Sequence, residues 1–165
     1  MDYQQLLLAL LPDLLVVVAL FAALGVDYSR LRGSRLAKRY QMACRISAAG
    51  LIAGLAVLML QIAGTMTVME STADGQLVLT RGTLTLKALL YAMGLGVLPL
   101  AKRDQVTPQV SEYFALLLLA TLGMGFVVSS RNLLGAFVAL ELVSLSLYAM
   151  TVLNQAKRAS AEAAL

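Results

Sequence analysis

A succession of predominantly apolar blocks runs along this chain and narrows the folds open to it. Each is about as long as the roughly 20 residues that a bilayer-spanning helix needs. They fall at about residues 6–24, 46–64, 84–100, 113–128 and 133–153. The chain as a whole is 60% apolar and 13% charged, whereas soluble domains hold about 45–50% and about 25%. The expected fold is therefore an all-α membrane protein, a bundle of five transmembrane helices, with residues 1–165 forming a single membrane domain. The lipid bilayer is the first expected partner.

Loop charges set an expected orientation, because cytoplasmic loops collect Lys and Arg. The connector after the first block carries Arg30, Arg32, Arg35, Lys38, Arg39 and Arg45. Lys102 and Arg103 follow the third block, and Lys157 and Arg158 follow the fifth. The opposite segments offer only Arg81 and Arg131. An odd number of spans with this bias puts the N-terminus outside and the C-terminus in the cytoplasm. The first block lacks the basic start and the small-residue cleavage site of a signal peptide, so it reads as a retained span. The basic connector reads as a topology signal that can also attract anionic lipid or an acidic partner. That explains the net charge of +4 better than a nucleic-acid surface does.

Within the blocks, local features have local readings. Pro12 and Asp13 are placed in the first turn or two of the first span, where a proline's missing N–H is not needed and an acid meets the positive end of the helix dipole. Gly50 and Gly54 form a small-xxx-small pair suited to close helix approach. Gly94, Gly96, Gly123 and Gly125 read as packing positions too, since neither Gly-x-Gly extends to a dinucleotide fingerprint. The segment Gln76-Leu-Val-Leu-Thr80 is β-rich and suggests a hairpin or an interfacial strand.

The residue types present exclude several chemistries. Histidine is absent, which removes imidazole catalysis and the usual metal and haem ligation. Cys44 is the only cysteine, so neither an intrachain disulfide nor a cysteine metal cluster forms. What remains is Glu141, near the middle of the fifth block. An acid at mid-membrane opposes insertion by roughly 2.5–3.5 kcal/mol, so such residues generally serve a function. Burial disfavours the charged form, and a carboxyl group in that setting can hold and release a proton. Residues three, four and seven positions on share its helical face, which makes Ser144 and Tyr148 its polar neighbours. Ser146 points elsewhere and is expected to bond to a backbone carbonyl. The bland alternative is that Glu141 is helix–helix glue. Lys87 reads from position as an interfacial lysine with its ammonium in the headgroups. The other reading makes it a buried cation, a possible charge partner for a carboxylate.

From Glu112 onward the chain resembles a known family. Glu112-Tyr-Phe-Ala-Leu-Leu-Leu-Leu-Ala-Thr-Leu-Gly-Met124, Ser129-Ser-Arg-Asn-Leu133 and Leu140-Glu-Leu-Val-Ser-Leu-Ser-Leu-Tyr148 are similar to the fourth and fifth helices of subunit N of proton-pumping NADH-quinone oxidoreductase, respiratory complex I. The N-terminal half matches in layout, with a Leu-Pro-acidic start at Leu11 to Asp13. The resemblance implies a translocase subunit for proton and electron transport in a prokaryotic inner membrane, beside the other membrane-arm subunits. It implies that the glutamate at Glu141 belongs to a proton half-channel and works with a lysine on a later, broken helix. It also implies that this chain binds no cofactor itself, while NADH, FMN, iron–sulfur clusters and quinone serve the whole complex. Lys87 matches no proton-channel residue of the family. Because the family continues past this chain, the resemblance further implies a truncated product, a split subunit or a partial sequence, inactive alone and completed by a separate chain. The alternatives are a subunit of a multisubunit cation/proton antiporter and a non-catalytic membrane scaffold.

Overall fold

A computed structural model describes residues 3–28, 36–64, 71–72, 77–104 and 107–153. Five helices dominate: α1 (Tyr3–Val26), α2 (Leu36–Ile62), α3 (Arg81–Asp104), α4 (Val110–Ser129) and α5 (Leu133–Val152). All five are long and apolar enough to cross a membrane. In hydrocarbon a helix satisfies its own backbone polar groups, which is why blocks of this length take that form. Between α2 and α3 lies a small antiparallel pair, β1 (Ser71–Thr72) with β2 (Leu77–Val78), of which β2 falls in the β-rich segment 76–80 and β1 lies before it. Lys157 and Arg158 of the tail, and Arg30, Arg32 and Arg35 of the connector, lie outside the described residues.

Helix ends follow local chemistry. α2 starts at Leu36 rather than near Ile46, because the stretch Leu36-Ala-Lys-Arg-Tyr-Gln-Met42 is rich in strong helix formers. Lys38, Arg39 and Arg45 therefore stand on helix instead of connector. Gly64 closes α2 with φ +76°, the left-handed conformation that glycine adopts freely. Thr80 caps α3 through a bond from Thr83 N–H to its hydroxyl, 3.2 Å. Asn132 caps α5, its side-chain oxygen accepting from Leu134 N–H at 2.7 Å.

α4 is the hub, packing against α1, α2, α3 and α5. Its neighbours α1, α2 and α3 close around one side of it. α5 lies on the other side and meets little else. Small residues set these distances. A Cβ at Gly50 would collide with the Cβ of Ala19, and one at Gly54 would sit 3.0 Å from both Pro12 O and the Tyr91 ring. One at Gly94 would sit 3.1 Å from the Thr121 hydroxyl, and one at Gly123 2.7 Å from Val143. Gly96 departs from the packing expectation: it is exposed and nothing lies within 4 Å of a Cβ built there.

Candidate functional site

α5 presents two unlike sides. Ala139, Val143 and Ser146 follow helical spacing and face α4, with Ala139 and Ser146 buried. Ser146 donates to Leu142 O at 2.7 Å, the backbone bond expected of it. Glu141, two residues along from Ala139, is turned away from α4. It is exposed, near the middle of the helix, at the edge of an open groove of about 680 Å³. Phe126 from α4, Leu77 from β2, Ser130, and Leu142 and Leu145 of α5 itself also line that groove. Its walls are mainly apolar. Leu77 pairs with Ser130 through a backbone bridge, which seats β2 at one end of the groove.

The expected neighbours share the Glu141 face without bonding to it. Ser144 donates to Leu140 O at 2.9 Å, a bond within the helix. Tyr148 is 62% exposed. Glu141 thus stands on an uncovered face instead of inside the described bundle. The physical reason is the small-residue seam at Gly123 and Ala139, which decides which side of α5 meets α4.

The buried charges lie elsewhere. Lys87 is 1% exposed, which overturns the interfacial reading. Its Nζ donates to Asp13 Oδ2 at 2.5 Å, and Tyr91 O–H donates to Asp13 Oδ1 at 2.6 Å. Asp13 is 3% exposed and Tyr91 fully enclosed. So Lys87 does partner a carboxylate, but that carboxylate is Asp13, not Glu141. Asp13 in turn is not a helix-start residue. α1 begins at Tyr3, so Asp13 sits in mid-helix, beyond the reach of the terminal dipole.

The local sequence explains the cluster. Lys87 and Tyr91 are four apart and share a face of α3. α1 and α3 are separated by one antiparallel helix and run the same way. Asp13 and Tyr91 stand the same number of residues past their helix starts, Tyr3 and Arg81, and so lie at matching depth. Gly125 of α4 leaves room for the lysine stem, since a Cβ there would lie 3.1 Å from Lys87 Cε. The ammonium then rests 5.5 Å from the centre of the Phe126 ring, within cation–π range. Removing one member of such a pair typically costs about 3–5 kcal/mol, because the other is left unpaired in a dry interior. Asp13 and its bond to Lys87 escaped the sequence reading. The available signal was a lone acid and a lone base in two parallel blocks, each the only charge in its apolar stretch.

Among the described residues no group of three or more Asp, Glu and Cys side chains is placed to hold a metal ion.

No protein-family model matches the chain. Curated relatives do. A protein of Acidobacterium capsulatum named NADH-quinone oxidoreductase subunit N 2 is 39% identical over 99% of this chain and 34% of its own length. The NADH-quinone oxidoreductase subunit N of Laribacter hongkongensis is 30% identical over 96% of the chain and 32% of its own length. The NAD(P)H-quinone oxidoreductase subunit 2 of Prochlorococcus marinus is 31% identical over 95% and 29% respectively. The chain thus spans about a third of the length of the curated relatives it matches.

Proposed function

The chain belongs to the family of NADH-quinone oxidoreductase subunit N, matched along nearly its whole length, and from that premise we propose that it works in the membrane arm of a proton-translocating NADH-quinone oxidoreductase. In this reading Glu141 carries a proton in a half-channel, and Ser144 and Tyr148 order water or donate to it when the groove is closed. Further helices, on the same polypeptide or a separate chain, cover the open face of α5. NADH, FMN, iron–sulfur clusters and quinone act in other subunits, in a bacterial inner membrane. The isolated segment is inactive.

The observation that carries the reading is the carboxylate itself: the one charged side chain of α5, lining a groove rather than buried in a structural bond. An acid at mid-membrane is costly to keep without a use. The names of the relatives favour the oxidoreductase over the antiporter alternative, since those three are quinone oxidoreductase subunits.

Glu141→Gln keeps the shape of the side chain and removes the exchangeable proton. In the assembled complex it is expected to lower proton pumping, and with it the coupled turnover of NADH, severalfold. Pumping at the wild-type level by an assembled Glu141→Gln complex would remove this residue from the mechanism and leave the scaffold reading.

A further inference from the structure

We propose that Lys87, held by Asp13 and Tyr91, is a second proton-holding residue of this chain and exchanges its proton with the groove of Glu141 past the ring of Phe126. The proposal rests on the reading of Glu141 as a proton carrier and extends the path to the far side of α4.

Four observations carry it. First, Lys87 is an ionisable group fully enclosed in an apolar, membrane-spanning bundle; such groups generally mark ion or proton pathways. Second, its ammonium has three N–H donors, yet among the described residues it meets a single acceptor, Asp13 Oδ2. A buried pair kept for packing alone needs its remaining donors satisfied. Beyond Asp13, the Lys87 ammonium has the Phe126 ring, centred 5.5 Å away, as its neighbour. Third, Phe126 is shared: its ring centre lies 5.5 Å from the Lys87 ammonium, and the same residue lines the groove of Glu141. One residue of α4 thus borders both ionisable sites. Fourth, Tyr91 holds the second oxygen of Asp13. The carboxylate therefore stays in place when Lys87 is neutral, which makes Tyr91 a positioning residue.

Among the described residues named around Lys87, Asp13 is the one with a charge. α1 contributes Asp13, and α3 itself contributes Tyr91. α4 contributes Gly125 and Phe126, and α2 approaches the Tyr91 ring with Gly54. The step is a plain proton transfer. The N–H bond of the Lys87 ammonium breaks and its proton passes through water to the Glu141 carboxylate. An amine and a carboxylic acid remain. The anionic Asp13 then draws a proton from the aqueous phase, which restores the ammonium.

Two variants of the assembled complex separate this from a structural tie. Lys87→Arg keeps the cation and its pairing with Asp13, but a guanidinium does not release a proton in proteins. The double variant Asp13→Asn with Lys87→Met removes both charges together, a change that packing usually tolerates. Pumping per NADH oxidised, read in inverted membrane vesicles, is expected to fall by a factor of at least about ten in each. NADH oxidation by an artificial acceptor is expected to be unchanged. With Glu141→Gln impaired, wild-type pumping by either Lys87 variant overturns this proposal alone. Failure of both to assemble also overturns it, because the cluster is then a tie. Wild-type pumping by Glu141→Gln overturns the Glu141 reading, whatever the Lys87 variants do.

Discussion

Pro12 shows how a single residue is accommodated inside a helix. It has no N–H to give to the carbonyl of Leu8, one turn back. Gln61 of α2 reaches across, and its Nε2 donates to Leu8 O at 2.7 Å. The Gln61 Oε1 has no partner among the described residues, so the amide is there for its donor. Gln61→Leu is expected to destabilise the assembled protein by about 1–3 kcal/mol, the usual cost of a buried polar group left unpaired. Adding Pro12→Ala should recover part of that loss, because alanine restores the N–H to Leu8 O. Thermal unfolding in detergent would show it, and equal melting of the single and double variants would speak against the explanation. From sequence Pro12 reads as a helix-start residue. The true start at Tyr3 moves it inward and makes Gln61 necessary.

At the scale of the element, α5 depends on one seam and on its ends. Thr107 donates to Leu153 O at 3.0 Å at one end, and the Asn132 cap holds the other. Between them Gly123 lets α4 approach Val143 and the Ala139 carbonyl. Gly123→Val is expected to cost about 1–3 kcal/mol through overpacking. It should also loosen α5, read as faster proteolysis at Arg131. Gly96→Ala serves as the contrast: with open space around it the change should stay within about 0.5 kcal/mol. Both glycines look alike in sequence. Only the helix that faces each one separates a packing glycine from a spare one.

Across the whole molecule, the four-helix side is tied at one end by a polar cluster. Arg39 of α2 grips Asp27, just past α1, with bonds of 2.7 and 2.5 Å. It also donates to Pro108 O, before α4, at 3.2 Å. Tyr40 donates to Thr107 O at 2.7 Å and accepts from Thr107 N–H at 2.9 Å. The bond from Arg39, helped by Ser111, holds the Asp27 carboxyl below its ordinary range against the opposing effect of burial. A carboxyl depressed on folding adds stability above its unfolded value, about 3.9. That contribution is lost as pH falls through the folded value. Asp27→Asn should therefore lower melting temperature at neutral pH and flatten its decline in acid below about pH 4. Parallel acid declines for the two proteins would show that the pair contributes nothing.

The five helices, a strand within residues 76–80 and the close approach at Gly50 and Gly54 are legible along the chain. These follow from local demands: backbone groups in hydrocarbon must bond within the segment, and small residues let helices meet. The sequence also singled out Glu141 and Lys87 as the charges to watch. What these two side chains face depends on how the helices pack. Asp13 and Lys87 are 74 residues apart, and they meet because α1 and α3 run parallel on the same side of α4. Glu141 turns outward because Ala139 and Gly123 claim the other side of α5. Hydropathy is a property of a segment and is legible along the chain. Pairing depends on the rotation of each helix about its axis, which is set by contacts between segments far apart in sequence.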